Sequence, residues 1–251
     1  MTSYRKYPQS DSKILYGLAA GRCAFPNCRR EVILESAIDE KRKQIGKIAH
    51  IVGHSNDGPR GDSNYPREKL ETYNNWILLC PTCHDIVDAK DSTYTVEILR
   101  QYKMDHEKWV RESTQNEIIN VTFTELDLIT KYLISGQCTP NDSLTVIPPK
   151  EKIHRNHFSV STEQFITMGM TQVRQVGDFI NKCPDIEFGE RLKQGFVAEY
   201  ERLKNKEQLH SDDLFNTLLD FSSGKSNDFK NRAAGLAVLV YLFEKCEVFE
   251  K

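Results

Sequence analysis

No stretch of this 251-residue chain approaches the roughly 18 consecutive apolar residues of a membrane-spanning helix, so a helical membrane protein is not expected. A strong charge of one sign is missing too. The chain carries 34 Lys+Arg against 36 Asp+Glu, a net −2, which argues against a protein that holds nucleic acid by bulk charge. The first residues, MTSYRKYPQSDSK, contain no apolar core and no cleavage site. No secretory leader is therefore expected, and the expected setting is cytoplasmic and reducing. No short internal repeat is visible. What is present is enough apolar sequence, 39%, to bury a core, over a length that suits one large domain or two ordinary ones.

The charge is divided unevenly. Residues 1–112 carry 18 Lys+Arg against 16 Asp+Glu, and residues 113–251 carry 16 against 20. A first region that contacts DNA would do so through a local patch, with modest affinity from phosphate neutralisation.

The seven cysteines are also uneven. Cys23 and Cys28 form one close pair, Cys80 and Cys83 another, while Cys138, Cys183 and Cys246 each stand alone. Thiolates two to four positions apart in a tight turn can face one metal, and two such knuckles complete a tetrahedral shell. Pro26-Asn27 and Pro81-Thr82 supply the turns. The expectation is a structural Zn²⁺ on Cys23, Cys28, Cys80 and Cys83, against the plainer reading of four free thiols. A closed shell has no open position, so such an ion would hold the fold and not catalyse.

The pattern along the chain predicts an α+β protein in two domains. SKILYGLAA reads as a short helix ended by Gly21, capped by Asp11 or Ser12. RREVILE, IAHI and NWILLC read as strands, and the Gly- and Pro-rich NDGPRGDSNYPRE as a loop. Helices are expected from about Pro81 and over TVEILRQYKMDHEKWVRE. The boundaries expected are 1–114 for the first domain, 115–160 for a connector beginning as a strand then a helix, and 161–251 for a helical domain. Four helices are predicted there. One covers TEQFITMGMTQVRQVGDFINKC as a single element. Another opens at Ser211 with a capping residue, and the last is apolar almost all round from Ala233 to Phe243.

Three polar residues stand in a specific order: His50 at the end of AHI, Asn75 before an apolar strand, and His84 directly after Cys83. With AHI at 49–51, GPRGD at 58–62, NWILLCPTCHDIVD at 75–88 and LRQYKMDHEKWV at 99–110, residues 14–112 resemble the HNH nucleases. The resemblance implies a β-hairpin and helix around one divalent metal, the ββα-metal fold, and cleavage of phosphodiester bonds. It implies His50 as general base, a task that a near-neutral imidazole suits. It implies a catalytic Mg²⁺ (or Mn²⁺) on His84 and Asp88, which lie four apart on one helix face. Asn75 would tie down the loop and orient His50. Ala49 departs from relatives that carry a metal-binding Asp or His just before the base, which thins the metal shell.

Plainer readings stand beside these. His50 can end a strand inside a core, and Asp88 can serve as a first-turn acid favoured by the helix dipole. Arg60 is expected to meet a substrate phosphate, or else to brace the loop against Asp57 or Asp62. His54 is expected to be a surface loop residue, His106 to pack on an apolar face, Trp76 and Trp109 to be core, and the basic run EKRKQ to be a solvated turn.

Residues 160–251 resemble the C-terminal domain of effectors in ABC three-component systems, bacterial anti-phage loci of the Lamassu type. That resemblance implies work beside an SMC/Rad50-like ATPase and a small middle component, or self-association. The whole reads as a DNA endonuclease effector. A non-catalytic zinc-ribbon adaptor and an RNA-cleaving toxin are the alternatives.

Overall fold

A computed structural model describes residues 7–34, 43–134, 149–185, 187–245 and 249, with backbone alone at 119 and 149. Cys138, Cys246, residues 40–42 of the basic run and the connector between 135 and 148 lie outside these. The chain divides into two compact units, 1–111 and 112–251. Among the described residues it is mostly helical, with two small sheets.

In the first unit, helix α1 (Gln9–Leu18) buries Ile14 and Leu15. Neither expected cap holds. Pro8 is the N-cap, and the Asp11 carboxylate instead accepts the Tyr73 backbone N–H at 2.7 Å. That contact joins residues 62 positions apart, so local capping rules do not anticipate it. Strands β1 (Ile33–Leu34) and β2 (Lys43–Gln44) form one antiparallel pair. Strands β3 (Lys47–His50) and β4 (Trp76–Leu79) form the other, with His50 opposite Trp76 and Ile48 opposite Leu78.

All four residues of β4 are buried, as its unbroken apolar run requires. Helix α2 (Pro81–Ala89) follows directly, with Pro81 at its first position, where a missing N–H costs nothing, and it packs on both strands. Helix α3 (Val96–Glu117) comes next. His106 is buried on it, its Nε2 3.1 Å from the Ala19 carbonyl, and burial pushes its pKa down to about 4. Trp76 is wholly buried, whereas Trp109 is half-buried beneath the Arg29 guanidinium.

The β3–β4 connection is 25 residues long and still ordered. Its backbone closes on itself where Gly53 and Gly61 bridge. A Cβ on Gly53 would lie 2.3 Å from the Pro59 carbonyl oxygen, and one on Gly61 2.2 Å from that of Asn56. Only glycine permits this approach.

In the second unit, α3 ends at Glu117, a 3-10 turn (Ile118–Asn120) stands where a strand was expected, and α4 (Phe123–Ile134) follows it. Helix α5 is Pro149–Arg155. The single helix expected from 162 to 183 is broken at Thr171-Gln172 into α6 (Val160–Met170) and α7 (Val173–Lys182). Helices α8 (Phe188–Lys206), α9 (Ser211–Ser222) and α10 (Phe229–Lys245) complete the unit. Ser211 does not cap α9. His210 holds that place with no side-chain bond, and Ser211 adopts a φ of +47°.

Helix α10 is the axis of the unit. Every residue from Arg232 to Val240 is buried, against α4, α6, α7 and α9. A Cβ on Gly169 of α6 would come within 2.5 Å of Val240, so the small residue sets that close packing. Arg232, buried mid-core, faces Asp220 at 3.5 Å.

Candidate functional site

The two cysteine knuckles meet in the first unit. Cys23, Cys28, Cys80 and Cys83 place their sulfurs within 4.8 Å of one another. The first knuckle is fastened to β4 by a hydrogen bond from the Ala24 N–H to the Leu78 carbonyl, 2.8 Å, and the second opens α2. Cys28 Sγ lies 3.8 Å from Cys80 Sγ. A disulfide needs about 2.05 Å. Sulfurs on a tetrahedral shell of about 2.3 Å radius lie about 3.8 Å apart. The spacing therefore fits four ligands around one ion.

Without an ion the thiols do not share one protonation preference. Burial pushes the Cys23 thiol up to about 12, and burial and the neighbouring Cys23 push Cys83 up as well. At Cys80 burial also raises the value, but the Cys83 backbone N–H and the neighbouring thiols more than offset it, and the thiol is lowered. Four thiolates this close repel one another unless a cation joins them, and a coordinated thiol is deprotonated outright.

The second knuckle leads directly into the other cluster. His84 and Asp88 stand one turn apart on α2, with His84 Nδ1 3.5 Å from Asp88 Oδ2. His50, at the end of β3, lines the same cavity of about 130 Å³ as His84, Asp88, His54 and Arg60. The His50 ring is held between neighbours: its centroid is 5.9 Å from that of Tyr7 and 6.4 Å from that of Trp76.

Asn75 organises the loop above. It is 1% exposed. Its Oδ1 accepts the Val52 N–H at 2.9 Å, and its Nδ2 donates to the Val52 and Leu70 carbonyls at 3.0 and 3.2 Å. Beside it the Ile51 N–H donates to the Asn75 carbonyl at 2.8 Å. One side chain thus clamps the segment that leaves His50.

Arg60 does something other than expected. Its guanidinium donates to the carbonyls of Val87 (2.7 Å), Ile51 (3.2 Å) and His50 (3.4 Å), and pairs with Asp88 Oδ1 at 2.6 Å. Its side chain is only 4% exposed. A buried guanidinium has to be paired, and four protein oxygens supply that here. Neither Asp57 nor Asp62 is its partner. The Arg60 side chain fastens β3 and its loop to α2, and it leaves Asp88 Oδ2 turned toward His84.

His54 is the other departure. It is half-buried rather than a surface residue, and its Nδ1 lies 2.7 Å from Glu71 Oε1. The same oxygen is 3.1 Å from His50 Nε2. Glu71 was not singled out in the sequence. It lies in a polar loop with no spacing that marks it, and only the loop's closure brings it to the histidines.

Cys183 has no metal-ligating cluster around it among the described residues. No helix among the described residues is long and apolar enough to cross a membrane. No curated protein matches the chain. Residues 133–250 match the family described as C-terminal domain 10 of the ABC-three component (ABC-3C) systems, so the C-terminal region of the chain is similar to that domain.

Proposed function

We propose that the first unit is a metal-dependent HNH-type endonuclease and that the second docks it into an ABC three-component assembly. The observation that carries the catalytic half is the shared cavity. His50 on β3 and His84 and Asp88 on α2 line one space of about 130 Å³, large enough for a phosphate oxygen and water. The strands and helix that supply them are stapled by the four-cysteine cluster, for which Zn²⁺ is the proposed ion.

In the proposed reaction His50 takes a proton from water as the oxygen attacks phosphorus, and the P–O bond to the leaving sugar oxygen breaks. A Mg²⁺ or Mn²⁺ ion held by His84 and Asp88 would supply charge to the scissile phosphate and the leaving oxygen. The residues present fit that ion: Asp88 Oδ1 is taken by Arg60, while Oδ2 and His84 face each other across 3.5 Å. Asn75 and Arg60 act as positioning residues, one fixing the loop after His50 and the other joining His50 to α2.

The substrate proposed is DNA. The near-neutral charge of the chain fits an enzyme with weak DNA affinity of its own, brought to its target by partners. The similarity of residues 133–250 to the ABC-3C domain supports partnership with other components of such a system, proposed to be an SMC/Rad50-like ATPase and a small middle component in anti-phage defence. The test is plasmid nicking with Mg²⁺ or Mn²⁺, with and without those components. The expected outcome is cleavage that His50→Ala abolishes while the cysteine-bound metal stays. Cleavage persisting in His50→Ala defeats the assignment of the base. Absence of any cleavage with all components present favours a DNA-binding adaptor.

A further inference from the structure

The hydrolysis proposed above uses His50, His84 and Asp88 but leaves His54 and Glu71 without a task. Yet these two are drawn tightly to His50. Glu71 Oε1 lies 3.1 Å from His50 Nε2 and 2.7 Å from His54 Nδ1, and the three ligand atoms all fall within 4.8 Å of one another. Their side chains are 6%, 19% and 23% exposed for His50, His54 and Glu71. Two hydrogen bonds from imidazoles account for Oε1. They do not account for Oε2, which is buried with no hydrogen-bond partner. A buried carboxylate oxygen without a donor is costly, and a cation within the cluster would satisfy it.

The ligand set indicates the class of cation. Two imidazoles and a carboxylate suit zinc and similar first-row ions, whereas magnesium prefers oxygen ligands and water. Atoms on a coordination shell of about 2.1 Å radius lie roughly 3–3.5 Å apart, close to the two contacts seen. The cavity lined by His50 and His54 offers a way in and room for water on the open side.

We propose that His50, His54 and Glu71 form a second metal site, for Zn²⁺ or a like first-row ion, and that an ion seated there holds the nuclease off. The off state rests on the reading of His50 as general base. With Nε2 on the ion, a neutral imidazole carries its single proton on Nδ1, so neither nitrogen can take one from water. Departure of the ion returns the nitrogen to the hydrogen bond with Glu71 and restores a basic ring.

The experiment is a zinc titration of the full chain, with bound metal counted after gel filtration. The wild type is expected to bind two ions per chain, and His54→Ala and Glu71→Gln one each, with the cysteines still protected from thiol reagents. The second equivalent should raise the melting temperature of the wild type alone. One ion in the wild type overturns the site, as do two ions in both variants. If one variant does not fold, the count in the other decides, because an ion on His84 and Asp88 would also bring the wild type to two. Where the chain nicks plasmid with Mg²⁺, the second equivalent should slow nicking at least tenfold, and an unchanged rate overturns the off state. Two bound ions on a chain that never nicks would defeat the nuclease reading and leave the metal site standing.

Discussion

The two units of this chain are stabilised by different chemistry. In residues 112–251 the core is made of helices around one apolar helix. Leu192, Phe196, Leu203, Phe215, Leu218 and the run from Arg232 to Val240 on α10 are buried. Among the described residues of 1–111 the four strands total only 12 residues, and a 25-residue loop lies between two of them. Around an apolar core that includes Leu15, Val32, Ile51, Leu78 and Val87, its order draws on four sulfurs, one arginine and one asparagine. A unit held by area loses stability in small steps as side chains are trimmed. A unit that also depends on a few specific groups loses it in large steps, and one of those groups, Arg60, lines its cavity.

The comparison can be broken most sharply by removing the ion proposed for the four cysteines. Chelation, or Cys80→Ser with Cys83→Ser, should unfold the first unit and leave the second intact. Structural zinc contributes about 10–16 kcal/mol in small peptides, more than most domains have to spare. Hydrogen exchange should then show protection lost in β3, β4 and α2 and retained in α8 and α10. Equal loss in both units would sink the distinction.

Next in size are two single changes, one on each side. Phe196→Ala should cost the second unit about 3–5 kcal/mol by opening a cavity, without releasing metal. Arg60→Ala should cost the first unit a similar ~3–5 kcal/mol, because Asp88 and three carbonyls lose a buried partner. It should also lower the proposed nicking, since Asp88 is no longer held. Separate unfolding transitions by calorimetry check both.

The acid sensitivity of the first unit is a third handle. Burial lowers the folded-state pKa of His106 from 6.5 to about 4. Between those values the unfolded chain takes up a proton that the folded chain refuses, so this contribution is present above pH 6.5 and is lost as pH falls. The loss approaches ~3 kcal/mol near pH 4. His106→Gln keeps a donor for the Ala19 carbonyl and should flatten the dependence, read from urea unfolding at a series of pH values. The smallest expected effect is Asn75→Ala, about 1–3 kcal/mol, from leaving the buried Val52 N–H without its acceptor. Its mark should be a greater loss of the proposed nicking than of stability.

Much of the architecture can be read from the chain because its signals are short-range. The spacing of the cysteine pairs predicted a four-sulfur cluster, and the apolar run of β4 and the all-round apolar α10 predicted burial. Errors came where a local rule met a distant partner. Asp11 read as a helix cap but bonds Tyr73. Ser211 read as a cap but takes a left-handed backbone conformation. The apolar spacing across 162–183 continued through a break at Thr171-Gln172, because the period of a helix persists across a turn that preserves its face.

At the candidate site the divide is the same. His50, Asn75, His84 and Asp88 lie next to strands and a helix whose pattern marks them. Arg60, His54 and Glu71 lie in the loop, and their roles follow from its closure. The sequence by itself determined which residues could ligate metal in pairs and which segments had to be buried, since both depend on spacings of a few residues. Only the tertiary structure decided that Arg60 belongs to Asp88 and that one carboxylate serves two histidines. Those contacts span 17 to 28 positions, and a loop of that length leaves no periodic mark of where its ends will meet.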